Sequence, residues 1–308
     1  MNLFNLFADL ERVDPDVYGR FDSRRRVFRH FGTAGKAVTS AMLPGLLSGL
    51  FQKAYGQTGL SGDSIAVLNL ALSLEYLEAY YYQAALSANI LGADDKAAFA
   101  TMLQDEQGHI AALRAALGSA ARADPTAAAF DFTAAGQVSP APTANLASFL
   151  AVAQALEDLG VRAYKGSLAT LMPSKDALKI ALGIHAVEAR HASHVRTLRR
   201  GGVGVAGLDG GGPGNSLPKS WVSLRENNGP LPALTTAIYA AGTTIDSPAE
   251  DNLVQVKLNV QTNSDPPGAN LRLPAAASEA FDEPLDAARV KTIALNFVAA
   301  GNPKGLFL

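Results

Sequence analysis

The chain has 308 residues, 48 % of them apolar, which is enough to bury a full core and excludes a disordered chain. Its 26 Lys and Arg nearly balance 28 Asp and Glu, so no overall field collects nucleic acid or an acidic partner. Cysteine is absent, which removes thiol nucleophiles, disulfides, iron-sulfur clusters, rubredoxin-type sites and zinc knuckles together.

Residues 22–32, DSRRRVFRHFG, precede sixteen residues, 37–52, that carry no charge. The pattern resembles a twin-arginine export signal. Ser23, Arg24 and Arg25 followed by Val27 and Phe28 fit the Ser-Arg-Arg-x-apolar-apolar order, and Ala54-Tyr55-Gly56 offers a small-x-small cleavage site. The uncharged run contains Pro44, Gly45 and Gly49 and falls short of the roughly 20 apolar residues that cross a bilayer. Residues 1–60 are therefore expected to form either an N-terminal arm packed on the core or an export signal. A signal implies the periplasm or cell envelope, an arm the cytoplasm. The Arg run lacks the aromatic interleaving and wider basic patch that nucleic-acid binding needs.

Beyond it, Ile65, Leu68, Leu72, Leu74 and Leu77 recur at helical spacing after Ser61 and Asp63, either of which suits an N-cap. A second helix is expected from near Asp94 through Phe99, Met102, Ile110 and Leu113 to Gly118. Residues 119–142 carry three prolines and no sustained period, so they read as a long connection. A third helix follows with Thr143 as cap and runs to about Leu171; a fourth starts at Pro173-Ser174 and ends before Gly201. Two helical hairpins joined by a long crossover make one class of four-helix bundle, over residues 61–200. Eight of the fourteen residues 201–214 are glycine, a flexible hinge by composition. GVGVAG at 202–207 matches the dinucleotide fingerprint in letters only, because a helix precedes it where a strand is required. In the final stretch, 215–308, VQVKLNV (254–260) alternates as a half-buried strand should, and 285–300 has helical spacing through Val290, Ile293, Ala294 and Phe297. The expectation is an all-α core carrying a mixed, partly extended C-terminal tail laid against the bundle.

The chemistry lies in a repeat. Glu106 and His109 stand three apart on the second helix, and Glu188 and His191 repeat that spacing on the fourth. Each pair follows another glutamate, Glu75 or Glu157, by 31 residues, so the two halves are offset by 82 throughout. Tyr82 and Tyr164 keep the same offset, each seven residues and nearly two turns after its leading glutamate. LEYLEAYYY (74–82) lies on LEDLGVRAY (156–164) without a gap, and Glu78 falls opposite Gly160, outside the repeat. Only five glutamates occur between residues 60 and 200, and four of them belong to the pattern. Four carboxylates and two imidazoles aimed at one point in an apolar bundle need compensating cations, and two divalent metals would supply them. Mixed carboxylate and imidazole ligation suits iron or manganese, with one bridging Glu from each hairpin and one terminal Glu or His pair per metal.

These motifs, over residues 62–200, resemble the ferritin-like superfamily, and within it the bacterial ferritin-like domain-containing proteins named as desiccation-associated. SRRRVFRHFG and the tail motif SEAFDEPL (278–285) are similar to that subfamily too. The resemblance implies that Glu75 and Glu157 are single-helix ligands and that Glu106 with His109 and Glu188 with His191 are the paired ones, around two iron ions. It implies oxidation of Fe(II) by O2 or peroxide, a ferroxidase or peroxidase-type oxidoreductase in oxidative or desiccation stress protection. The competing expectations are a dimanganese catalase-like enzyme and a structural or envelope assembly protein with a purely structural metal site. A homo-oligomer is expected, although the long tail departs from storage ferritins and stands against a 24-subunit cage. Tyr82 and Tyr164 are candidates for supporting the ligands from behind. His185 and His194 flank the fourth-helix motif as exposed or supporting residues, with an iron entry route as the functional alternative.

Overall fold

The computed structural model describes residues 59–202, 217–255, 258–259, 274–302 and 304–308. The expected export motif and most of the Gly-rich stretch 201–214 lie outside the described residues.

Four long helices carry the domain: α1 (Gly62–Ser87), α2 (Ala93–Leu117), α3 (Leu146–Leu171) and α4 (Lys175–Arg199). At 1.5 Å per residue each spans roughly 40 Å. The Ser61 hydroxyl accepts from the backbone N–H of Ser64 at 3.1 Å and so caps α1. α2 stops at Gly118, whose φ of 56° is a conformation that glycine tolerates. Thr143 does not cap α3. A turn that closes from Ala144 N–H to the Ala141 carbonyl at 2.8 Å occupies that stretch, and the cap falls two residues later on Asn145, whose side chain accepts from Ser148 N–H at 2.9 Å. α1 packs on α2 and α3 on α4, while α1–α3 and α2–α4 contacts join the hairpins, the expected bundle.

The two helices of each hairpin differ in kind. α2 and α4 bury a single stripe, as surface helices do. α1 is buried without interruption from Leu70 to Ala79, and α3 from Phe149 to Tyr164. A helix buried all round must be covered on every side, and here the crossover and the tail supply the cover. In the crossover, Asp131 accepts from the N–H groups of Thr133 and Ala135 at 2.9 and 3.0 Å, and the tight loop so formed presents Phe130, Ala134 and Val138 to the core. The stretch expected to be only a connection therefore contributes core side chains. It also pairs with the chain's end: Phe130 bridges Val298, and Asp131 N–H donates to the Phe297 carbonyl at 2.9 Å.

The tail contains α5 (Pro232–Tyr239), α6 (Pro274–Ser278) and α7 (Ala287–Ala294), with a two-residue antiparallel pair of β1 (Val254–Gln255) and β2 (Leu258–Asn259). The single strand expected over 254–260 is thus a chain reversal, in which Gln255 pairs with Leu258 of the same stretch. α7 buries Val290, Ile293 and Ala294 at the expected spacing and packs on α3 and α1. Arg162 of α3, 2 % exposed, anchors this tail. Its guanidinium donates to the carbonyls of Glu283 (2.9 Å), Ala240 (3.0 Å), Pro248 (2.6 Å), Pro284 (3.1 Å) and Ile238, and it pairs with Glu250 at 2.8 Å. One turn on, Gly166 leaves room for the tail: a Cβ there would meet the Leu285 carbonyl oxygen at 2.0 Å. Among the described residues no helix is long and apolar enough to cross a membrane.

Candidate metal centre

Helical geometry brings the repeat together. On α1 and α3 the leading glutamate and the tyrosine two turns later share a face; on α2 and α4 the three-residue spacing stacks each histidine on its glutamate. All six predicted side chains point inward. The four glutamates are fully buried, and His109 and His191 are 8 % and 5 % exposed. They form two groups, each with one donor atom per residue and all donors within 4.8 Å of one another: Glu75, Glu106, His109 and Glu188, and Glu106, Glu157, Glu188 and His191. Glu106 and Glu188 are common to both. Each remaining Glu and His belongs to one.

Distances follow the same division. His109 Nδ1 lies 2.9 Å from both Glu75 and Glu106 and 3.5 Å from Glu188. His191 Nδ1 lies 2.8 Å from Glu106 and 3.6 Å from Glu157. The 2.8 Å approach runs off the line of a hydrogen bond, so His191 Nδ1 and Glu106 Oε1 both remain without a hydrogen-bond partner. The tyrosines cross over: Tyr82 donates to Glu157 Oε1 and Tyr164 to Glu75 Oε1, so each half's phenol holds the other half's leading glutamate and leaves its second oxygen facing the cluster. Beyond Tyr82 the rings of Phe99 and Phe149, edge to face at 4.7 Å, close one end.

Residues 63–200 match the profile of the ferritin-like domain family. Over these residues the chain carries a ferritin-like domain. No curated protein and no solved structure matches it.

The ferritin-like domain holds a fifth glutamate that the repeat left out. Glu78 is 2 % exposed, and it sits where its counterpart Gly160 has no side chain. A Cβ on Gly160 would meet Glu188 Oε2 at 2.3 Å and Glu78 Oε1 at 3.4 Å, so the glycine makes the space that the acidic cluster fills. The signal was present in the sequence as a vacancy: a glycine inside a buried helix, opposite a glutamate, marks room for a neighbour. His185 turns instead to the Val161 carbonyl at 3.1 Å and His194 to the Phe99 ring, and neither belongs to the donor groups. Of the tyrosine run, Tyr81 donates to the Phe149 carbonyl as a packing residue and Tyr80 reaches Asp124 near the surface.

The electrostatics describe a cluster short of cations. Burial pushes Glu75 up to about 7 against the pull of His109. Burial, then the charges of neighbouring glutamates, hold Glu188 and Glu78 well above the usual carboxylate range. Burial raises Glu157 as well, opposed by His191. On Glu106 burial also acts upward, but the two close imidazoles bring it down to about 2. Burial disfavours charge on His109 and His191, yet the surrounding carboxylates raise both above the ordinary imidazole value. Five carboxylate oxygens and one imidazole nitrogen of the cluster are buried with no hydrogen-bond partner: Glu78 Oε2, Glu106 Oε1, Glu157 Oε2, both oxygens of Glu188, and His191 Nδ1. Buried polar atoms are rarely left so. Divalent cations ligated by these atoms would satisfy them and replace the protons that otherwise limit the charge, so the residues present fit a metal site of mixed oxygen and nitrogen donors.

Proposed function

We propose that the domain binds two iron ions, one in each donor group with Glu106 and Glu188 shared, and oxidises Fe(II) with O2 or peroxide. The observation that carries this reading is the sharing itself, since two overlapping four-donor groups with two common carboxylates are what a dinuclear centre requires. Bound iron would supply the electrons: two Fe(II) give up one each, and with two protons these reduce O2 to hydrogen peroxide or hydrogen peroxide to water. The chain's own part is to hold and exclude. Tyr82 and Tyr164 orient Glu157 and Glu75 by hydrogen bonds to Oε1, burial keeps bulk water from the ligands, and metal competes with protons at Glu75 and Glu188, whose proton affinity burial raises.

Removal of Fe(II) and oxidant together supports a role in oxidative or desiccation stress protection, and the Ser23-Arg24-Arg25 stretch supports export to the periplasm or envelope. Anaerobic Fe(II) titration followed by air is the test. Uptake of about two ions per chain, and an absorption change on admitting air that marks conversion of Fe(II) to Fe(III), are expected. No uptake overturns the reading, while manganese recovered from the native host in place of iron redirects it to a dimanganese, catalase-like site.

A further inference from the structure

The two halves of the centre are not supported alike. Asp105 stands on α2 beside Glu106 and reaches across to α4, where its carboxylate lies 3.2 Å from Nε2 of His191. His191 thus has Nδ1 turned to Glu106 and Glu157 inside the cluster and Nε2 held by a carboxylate that is 42 % exposed at the surface. The counterpart of Asp105 in the 82-residue repeat is Val187, which has no acceptor to offer. His109 correspondingly makes all its polar contacts through Nδ1, to Glu75, Glu106 and Glu188, and among the described residues nothing accepts from its Nε2.

Resting on the dinuclear reading above, we propose that Asp105 is a positioning residue for His191 and that it makes the two metal positions unequal, the ion in the Glu157–His191 group being held more tightly than the ion in the Glu75–His109 group. An imidazole that donates Nε2–H to a carboxylate is fixed as the tautomer with a free lone pair on Nδ1, is locked in rotation, and is the more basic ligand. Loss of such a partner weakens metal binding by about 10- to 100-fold, and the surface exposure of Asp105 places the expected effect toward the lower end.

Cobalt(II) is the probe, since it reports ligation by its visible absorption and needs no oxidant. Titration of the unaltered protein against a competing chelator is expected to show two unequal steps. D105A lowers the affinity of the tighter step by about tenfold and leaves the weaker one in place; D105N, which keeps an acceptor oxygen, recovers part of the loss. V187D supplies the missing acceptor on the other half and strengthens the weaker step, an arm that stands even if D105A fails to fold. Equal steps in the unaltered protein, equal weakening of both steps by D105A, or an unchanged weaker step in V187D each overturn the proposal while leaving the dinuclear centre intact. No cobalt uptake by the unaltered protein removes the centre and the proposal together.

Discussion

The first hairpin and the second are copies that have been put to different uses, and aligned positions show how. Tyr76 and Arg114 in the first correspond to Asp158 and Arg196 in the second. Arg114 donates to the Tyr76 hydroxyl at 3.0 Å in a partly exposed setting, where water shares the charge. Arg196 is 1 % exposed beneath the tail, and its partner there is a carboxylate, held by Nε at 3.0 Å and by Nη2, with Glu226 at 3.0 Å from Nη1. The pairing was kept and its chemistry changed, because a buried guanidinium needs an opposite charge and an exposed one does not. Tyr80 at the surface likewise corresponds to Arg162 inside the tail anchor. Symmetry survives at the six clustered donors and their two tyrosines; it is lost at Glu78–Gly160 and Asp105–Val187, and again where one half faces solvent and the other faces the tail.

The sharpest break of this comparison falls on the shared ligands. E106Q or E188Q should abolish uptake of both metals, whereas E75Q and E157Q should each abolish one, as read by elemental analysis after loading. Outside the centre, R162A should cost about 3–5 kcal/mol by leaving Glu250 and five tail carbonyls without their cation, while Y80F at the aligned position stays within about 0.5 kcal/mol; chemical denaturation measures both. G160A drives a Cβ into the Glu188 carboxylate and should cost about 1–3 kcal/mol with weaker metal binding, as chemical denaturation and metal loading would show. The smallest effect is on pH. Glu75 binds a proton more tightly in the folded chain, so the metal-free protein should lose stability as pH rises from about 4.5 through about 7, the raised imidazoles of His109 and His191 acting in the same direction. Thermal melts that stay flat over that window in the metal-free protein would show the cluster to be hydrated and open.

The bundle and the six clustered residues were legible because both are written locally: helical spacing sets the faces, and the 82-residue offset names matching positions. Glu78 was missed by the same logic that found the others, since a repeat discards whatever has no partner, and the missing partner was itself the reason for its place. Thr143 was passed over as cap because a turn at Ala141–Ala144 competes for the same backbone. The anchors Arg162 and Arg196 were illegible for a different reason. Each looks like an ordinary surface cation on its own helix and becomes interior only when residues more than 70 positions away or beyond a glycine-rich stretch fold over it.

That enclosure sets the true size of the folding unit. The family match ends at residue 200, but a chain cut there would leave Gln154, Arg162 and the Asp158–Arg196 pair without their tail partners and would open the apolar side chains packed under α7 to solvent. What can be transplanted, shortened or evolved independently is therefore the whole wrapped assembly, and insertions belong in its outer loops.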